Sequence, residues 1–114
     1  MKDTGKKINV AIIGASGYSG VELVKILLNH PGVEVAHVVG ASTVGQRLDD
    51  IYPIFRKRTN LVMEAFDLSA LKTMDIVFLA LPHGEAMKYA PELIEAGIRV
   101  IDFSGDFRFK SAEL

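Results

Sequence analysis

None of the 114 residues is a cysteine. Disulfides, Cys-ligated metal and thiol catalysis by these residues are therefore excluded. Excess charge of either sign is also missing: 13 basic residues stand against 14 acidic ones, for a formal net charge of −1. A nucleic-acid surface ordinarily shows a basic excess or a Lys/Arg stripe, and neither occurs. The short basic group Arg56, Lys57 and Arg58 reads as a solvated loop. No apolar run approaches the ~18 residues needed to cross a bilayer. The amino-terminal stretch is polar and basic, and the strand-like run that follows it, Ile8 to Ile13, is too short for a secretory signal. A cytoplasmic location is the expectation. His30 and His37 have no second ligand at metal spacing, so no metal is expected. Internal repeats, low-complexity tracts and interior linkers are absent as well.

What is present is an ordinary globular composition, 49% hydrophobic and 24% charged, in a chain long enough for one domain with a real core. Strand and helix patterns alternate. Ile8 to Ile13 is a β-branched run ending at Gly14, as expected of a strand buried on both faces. Val21, Val24, Ile26, Leu27 and Leu28 follow helical spacing between Tyr18 and Asn29, and Pro31 with Gly32 stops that helix. His30, at its end, is where a positive charge suits the helix dipole. Val33 to Val39 is a second strand closed by Gly40, and Gln46 to Ile51 forms a short helix or turn. Leu61 to Phe66 reads as a weaker third strand, and Asp67 to Leu71 as a short helix capped by Asp67. Asp75 to Leu81 is a strong buried strand stopped by Pro82. Glu85 to Ala96 is an amphipathic helix ending at Gly97, and Ile98 to Phe103 a final strand. This alternation predicts an α/β fold: a doubly wound, mostly parallel sheet of Rossmann type. Ligands of such sheets bind beyond the carboxyl ends of the strands.

The loop after the first strand has glycines three apart: Gly14, Gly17 and Gly20. One permits a tight turn, one lets the backbone approach a pyrophosphate, and one lets helix and strand pack closely. The helix amino terminus adds N–H donors and a partial positive charge. Ser16, Tyr18 and Ser19 are further candidate donors to phosphate, Tyr18 alternatively packing at the helix start. The end of the second strand selects the cofactor. An NAD site typically has an acid there for the ribose 2′-hydroxyl, but this chain has Gly40, Ala41, Ser42 and Thr43. Hydroxyls and a cation accept a 2′-phosphate that a carboxylate would repel, so Ser42, Thr43 and Arg47 favour NADP. The competing reading of Arg47 is an ordinary surface arginine.

Three segments resemble the N-acetyl-γ-glutamyl-phosphate reductases: Gly14 to Gly20 followed by Glu22 and Leu23, the run Phe78 to Gly84 with its Leu81-Pro82-His83-Gly84 turn, and Val100 to Arg108. The resemblance extends over nearly the whole chain. It implies NADPH-dependent reduction of an acyl phosphate to an aldehyde, on the way to arginine, by a cytoplasmic homo-oligomer. It places Leu81, Pro82 and His83 in a cofactor-side loop and Arg108 on the substrate phosphate, where a guanidinium can hold two oxygens. The alternative for Arg108 is an ion pair with Asp102 or Asp106, and Asp106 reads as orienting its loop. The family's cysteine nucleophile and acid–base histidine have no counterpart here. The expectation is an amino-terminal piece that supplies cofactor binding and no catalytic residue. The neighbouring aspartyl-phosphate and aminoadipyl-phosphate reductases remain alternatives. So does a dinucleotide-binding sensor without chemistry of its own.

Overall fold

In the computed structural model, residues 7–103 are described. They form five strands and four helices in the order β1 (Ile8–Ile13), α1 (Tyr18–Leu28), β2 (Val33–Val39), α2 (Leu48–Ile51), β3 (Met63–Glu64), α3 (Leu68–Leu71), β4 (Ile76–Leu79), α4 (His83–Glu95) and β5 (Val100–Asp102), with a single 3₁₀ turn at Pro53–Phe55 after α2. The sheet order is β3-β2-β1-β4-β5, and all four neighbouring pairs are parallel. The predicted doubly wound α/β sheet is what forms. The chain reverses its direction of travel across the sheet between β1 and β4, the switch point beyond whose carboxyl ends sheets of this kind bind their ligands.

β1 lies at the centre because it can be buried on both faces: Val10, Ala11, Ile12 and Ile13 are all at most 1% exposed. Its register with β2 slips between Val10, opposite Val35, and Ala11, opposite His37. Ala36 is the extra residue of a bulge, which turns both Val35 and Val38 toward the same side of the sheet. On that side α1 packs Val21, Leu23, Val24 and Leu27 against the strands, joined by Leu48 and Phe55. On the other, Leu71 of α3 and Ala86 and Leu93 of α4 cover Ala11, Ile13, Val77 and Leu79.

Element ends differ from the sequence pattern where backbone hydrogen bonds have other uses. β3 shrinks from the expected Leu61–Phe66 to two residues because the preceding loop competes for it. Gly45 donates to the Met63 carbonyl, and Met63 donates to that of Gln46. α4 starts at His83, two residues ahead of Glu85, since Pro82 already holds the extended backbone of an N-cap. It ends as expected: Gly97, at φ +84°, adopts the left-handed conformation that a glycine tolerates. Asp67 also caps α3 as expected, its carboxylate accepting the Ser69 N–H at 3.0 Å. At the end of α1, His30 turns to the segment that follows. Its Nδ1 accepts the Gly32 N–H at 2.9 Å, which closes the turn before β2.

Candidate dinucleotide site

The glycine loop forms because each glycine meets a different constraint. Gly14 sits at φ +93°, and a Cβ there would lie 2.5 Å from the Ala80 carbonyl oxygen and 2.7 Å from Leu81 Cδ2. The turn after β1 and the turn after β4 are thus in direct contact. Gly20, inside α1, would place a Cβ 2.7 Å from the Ala15 Cα, so helix and strand approach as closely as a glycine allows. Gly17 is the N-cap of α1, at φ −87° and ψ 176°. A Cβ on it would meet only the Gly14 carbonyl, at 3.6 Å. Space beyond this cap is open.

The first helical hydrogen bond runs from Val21 N–H to the Gly17 carbonyl at 2.8 Å. The N–H groups of Tyr18, Ser19 and Gly20 precede it and have no intrahelical acceptor. No side chain caps them. Three donors at the positive end of an 11-residue helix, under a cap with no side chain, fit a diphosphate. Tyr18 is 89% exposed, which removes the alternative that it packs at the helix start. Ser19 is half-buried.

The turn after β2 joins this loop. Ser16 Oγ lies 3.3 Å from Thr43 Oγ1, and Tyr52, in the turn behind α2, donates its hydroxyl to the Ser16 carbonyl at 2.8 Å. Ser42 is exposed beside them. Glu64, on neighbouring β3, directs its carboxylate to His37 Nδ1 at 3.0 Å. Arg47 is the sequence candidate whose surroundings are least like the expectation. Its Nε and Nη2 bind the two oxygens of Asp49 at 2.9 and 2.8 Å, and Nη2 also donates to Asn60 at 3.3 Å. Three of its five N–H groups are engaged, leaving Nη1. The hydrogen bond that Arg47 donates to Asp49, with the charge of the carboxylate, raises the Arg47 pKa, and the same bond lowers that of Asp49. Asp49 is the one buried charged residue among those described.

Leu81, half-buried, and Pro82, exposed, form the turn against Gly14, and His83 opens α4. Arg108 and Asp106 lie outside the described residues. No group of three or more metal-ligating side chains occurs among the described residues. No helix there is long and apolar enough to span a membrane. Tyr52 and Asp49 carried no sequence signal of a role: each sits in an aperiodic stretch before or beside Pro53, where only the folded loop shows what it touches.

Residues 9–113 match the family described as semialdehyde dehydrogenase, NAD binding domain. The chain is 50% identical over 105 residues to an N-acetyl-gamma-glutamyl-phosphate reductase of Neisseria meningitidis, covering 92% of this chain and 30% of that protein. It is 45% identical over 107 residues to the protein of the same name from Acidithiobacillus ferrooxidans, covering 94% and 31%. In three dimensions it is similar to the aspartate semialdehyde dehydrogenase of Candida albicans solved with NADP. The TM-score there is 0.76 at 19% identity, over 90% of this chain and 31% of that one. The chain thus spans about 30% of the length of the curated relatives it matches. A glycine loop of this shape at the centre of a parallel sheet, with this match along nearly the entire sequence, shows that the chain belongs to the NAD-binding domain family of the semialdehyde dehydrogenases.

Proposed function

We propose that this chain is the NADP-binding part of an N-acetyl-γ-glutamyl-phosphate reductase, a cytoplasmic and homo-oligomeric enzyme that converts a small acyl phosphate to an aldehyde with release of phosphate. The observation that carries the reading is the uncapped amino terminus of α1, with three free N–H donors beneath a glycine cap. Gly14, Ser16, Gly17, Tyr18, Ser19 and Gly20 would hold the diphosphate. Ser42 and Thr43 would take the 2′-phosphate, Arg47 adding its remaining Nη1 while Asp49 keeps the guanidinium in place. Leu81, Pro82 and His83 would flank the nicotinamide side. When bound, the cofactor supplies the hydride.

The residues of this chain bind and orient; they include no cysteine nucleophile. In this reading the nucleophile and the acid–base histidine come from residues outside the 114, and Arg108 holds the substrate phosphate. The missing acid after β2 and the engagement of Glu64 by His37 support NADP over NAD, because among the described residues the carboxylate nearest the end of β2 is already held.

Calorimetric titration with NADPH and NADH under matched conditions tests the reading. NADPH is expected to bind more tightly. Ser42→Ala should weaken NADPH by about tenfold, the order of one charge-assisted hydrogen bond, and leave NADH unchanged. Binding of neither nucleotide, or a preference for NADH, overturns it.

A further inference from the structure

We propose that Tyr52 is a positioning residue that sets the phosphate-binding geometry of the glycine loop; this rests on the dinucleotide reading above. The Tyr52 hydroxyl reaches across 36 residues to donate to the Ser16 carbonyl at 2.8 Å. That carbonyl belongs to the peptide unit linking Ser16 to Gly17. The N–H of the same unit donates to the Gly14 carbonyl at 3.1 Å. One peptide plane is therefore held at both ends, and the next N–H groups along the chain are the three that face the open cap.

Sterics alone do not hold this plane. Gly17 has no Cβ, and one added there would touch a single atom at ordinary contact distance. A glycine at this point lets phosphate approach, but it also lets the preceding peptide unit rotate. Tyr52 supplies the restraint that the glycine gives up.

Tyr52 is itself fixed. Its N–H donates to the Leu48 carbonyl at 2.9 Å, and its carbonyl accepts from Phe55 at 3.0 Å. Its ring meets that of Phe55 edge to face, centroids 6.4 Å apart, and Phe55 is fully buried. A phenylalanine would fill the same space. The hydroxyl adds one thing, the bond to Ser16. Because Ser16 Oγ also lies 3.3 Å from Thr43 Oγ1, that residue is tied at its carbonyl to one loop and at its side chain to another.

Tyr52→Phe tests this, since it deletes only the hydroxyl. In the variant, NADPH and NADH are both expected to bind about tenfold more weakly, the order of one lost hydrogen bond. Their ratio should stay that of the unmodified chain, because the diphosphate is common to both. Ser42→Ala is expected to change the ratio instead. Amide hydrogen exchange supplies a second readout. In the unmodified chain the Gly17 amide should be protected while those of Tyr18 and Ser19 exchange freely, and in Tyr52→Phe the Gly17 protection should be lost. Unchanged affinities, an altered NADPH-to-NADH ratio, or a Gly17 amide that is unprotected to begin with each overturn the proposal. If the unmodified chain binds neither nucleotide, the cofactor reading itself fails and takes this one with it.

Discussion

A methyl group on Gly20 would lie 2.7 Å from the Ala15 Cα and closer still to the Gly14 carbonyl oxygen. Both obstacles are backbone, in a helix packed on the central strand, and neither can turn aside. Gly20→Ala should therefore cost more than about 2 kcal/mol, the upper part of the range for overpacking a core. Gly17→Ala puts its methyl 3.6 Å from one atom, at backbone angles open to any residue, and should cost no more than ~1 kcal/mol as a poorer N-cap. Urea denaturation of the two variants checks this, and equal stabilities would sink the assignment of roles. The spacing of the three glycines was legible in the sequence as a strand-to-helix glycine turn. Which glycine faces the sheet and which faces solvent follows only from the turn itself. Tyr52 was not legible at all, because an aromatic near a proline has no periodicity to betray a contact 36 residues away.

At the scale of elements, long apolar runs predicted β1, α1 and β2 closely, and short segments depended on partners that no local pattern contains. α2 is the case in point. Four residues are far too few to be stable as an isolated helix. It persists because Leu48 is fully buried and Asp49 is clamped by Arg47. That clamp makes a pH-dependent contribution. The hydrogen bond from Arg47 lowers the folded-state pKa of Asp49 from the ordinary 3.8; burial opposes it, and the charge of Arg47 adds to the lowering. A depressed carboxylate stabilises the fold fully above its unfolded value, and that stabilisation is lost as pH falls through the lower, folded one. Asp49→Asn should accordingly be less stable than the unmodified chain at neutral pH. The gap should narrow as pH drops below about 4 and close only below the lower, folded-state pKa, where both chains carry a neutral side chain. Denaturation curves taken from pH 7 downward measure it. A gap independent of pH would mean that the pair acts through packing alone. Because Arg47 is half exposed, salt should shrink the gap as well.

Over the whole molecule, the two faces of the sheet are covered unequally. α3 and α4 close one side of β1 and β4, whereas on the other α1 stops short of β5. Phe78 and its β5 neighbour Ile101 face the α1 side, and Ile101 stays 38% exposed. Beside it Tyr18, Ser19, Glu22, Leu23, Ile26 and Phe103 line an apolar cleft of about 330 Å³, with Ile26 62% exposed. Apolar surface of this kind drives association without direction, through loss of contact with water. With a net charge of only −1, the 114-residue chain has little repulsion to oppose it. Sedimentation at increasing concentration is expected to show reversible self-association that salt does not weaken. Ile26→Lys removes apolar area from the cleft's rim without touching the core, and should weaken that association about fivefold, ~1 kcal/mol, as expected for partial burial of one large aliphatic side chain. The glycine loop shares Tyr18 and Ser19 with this cleft, so the same variant also separates two effects. Unchanged NADPH affinity beside weaker association would assign the cleft to contacts between protein surfaces, and a chain that stays monomeric throughout would remove the premise that this face attracts anything.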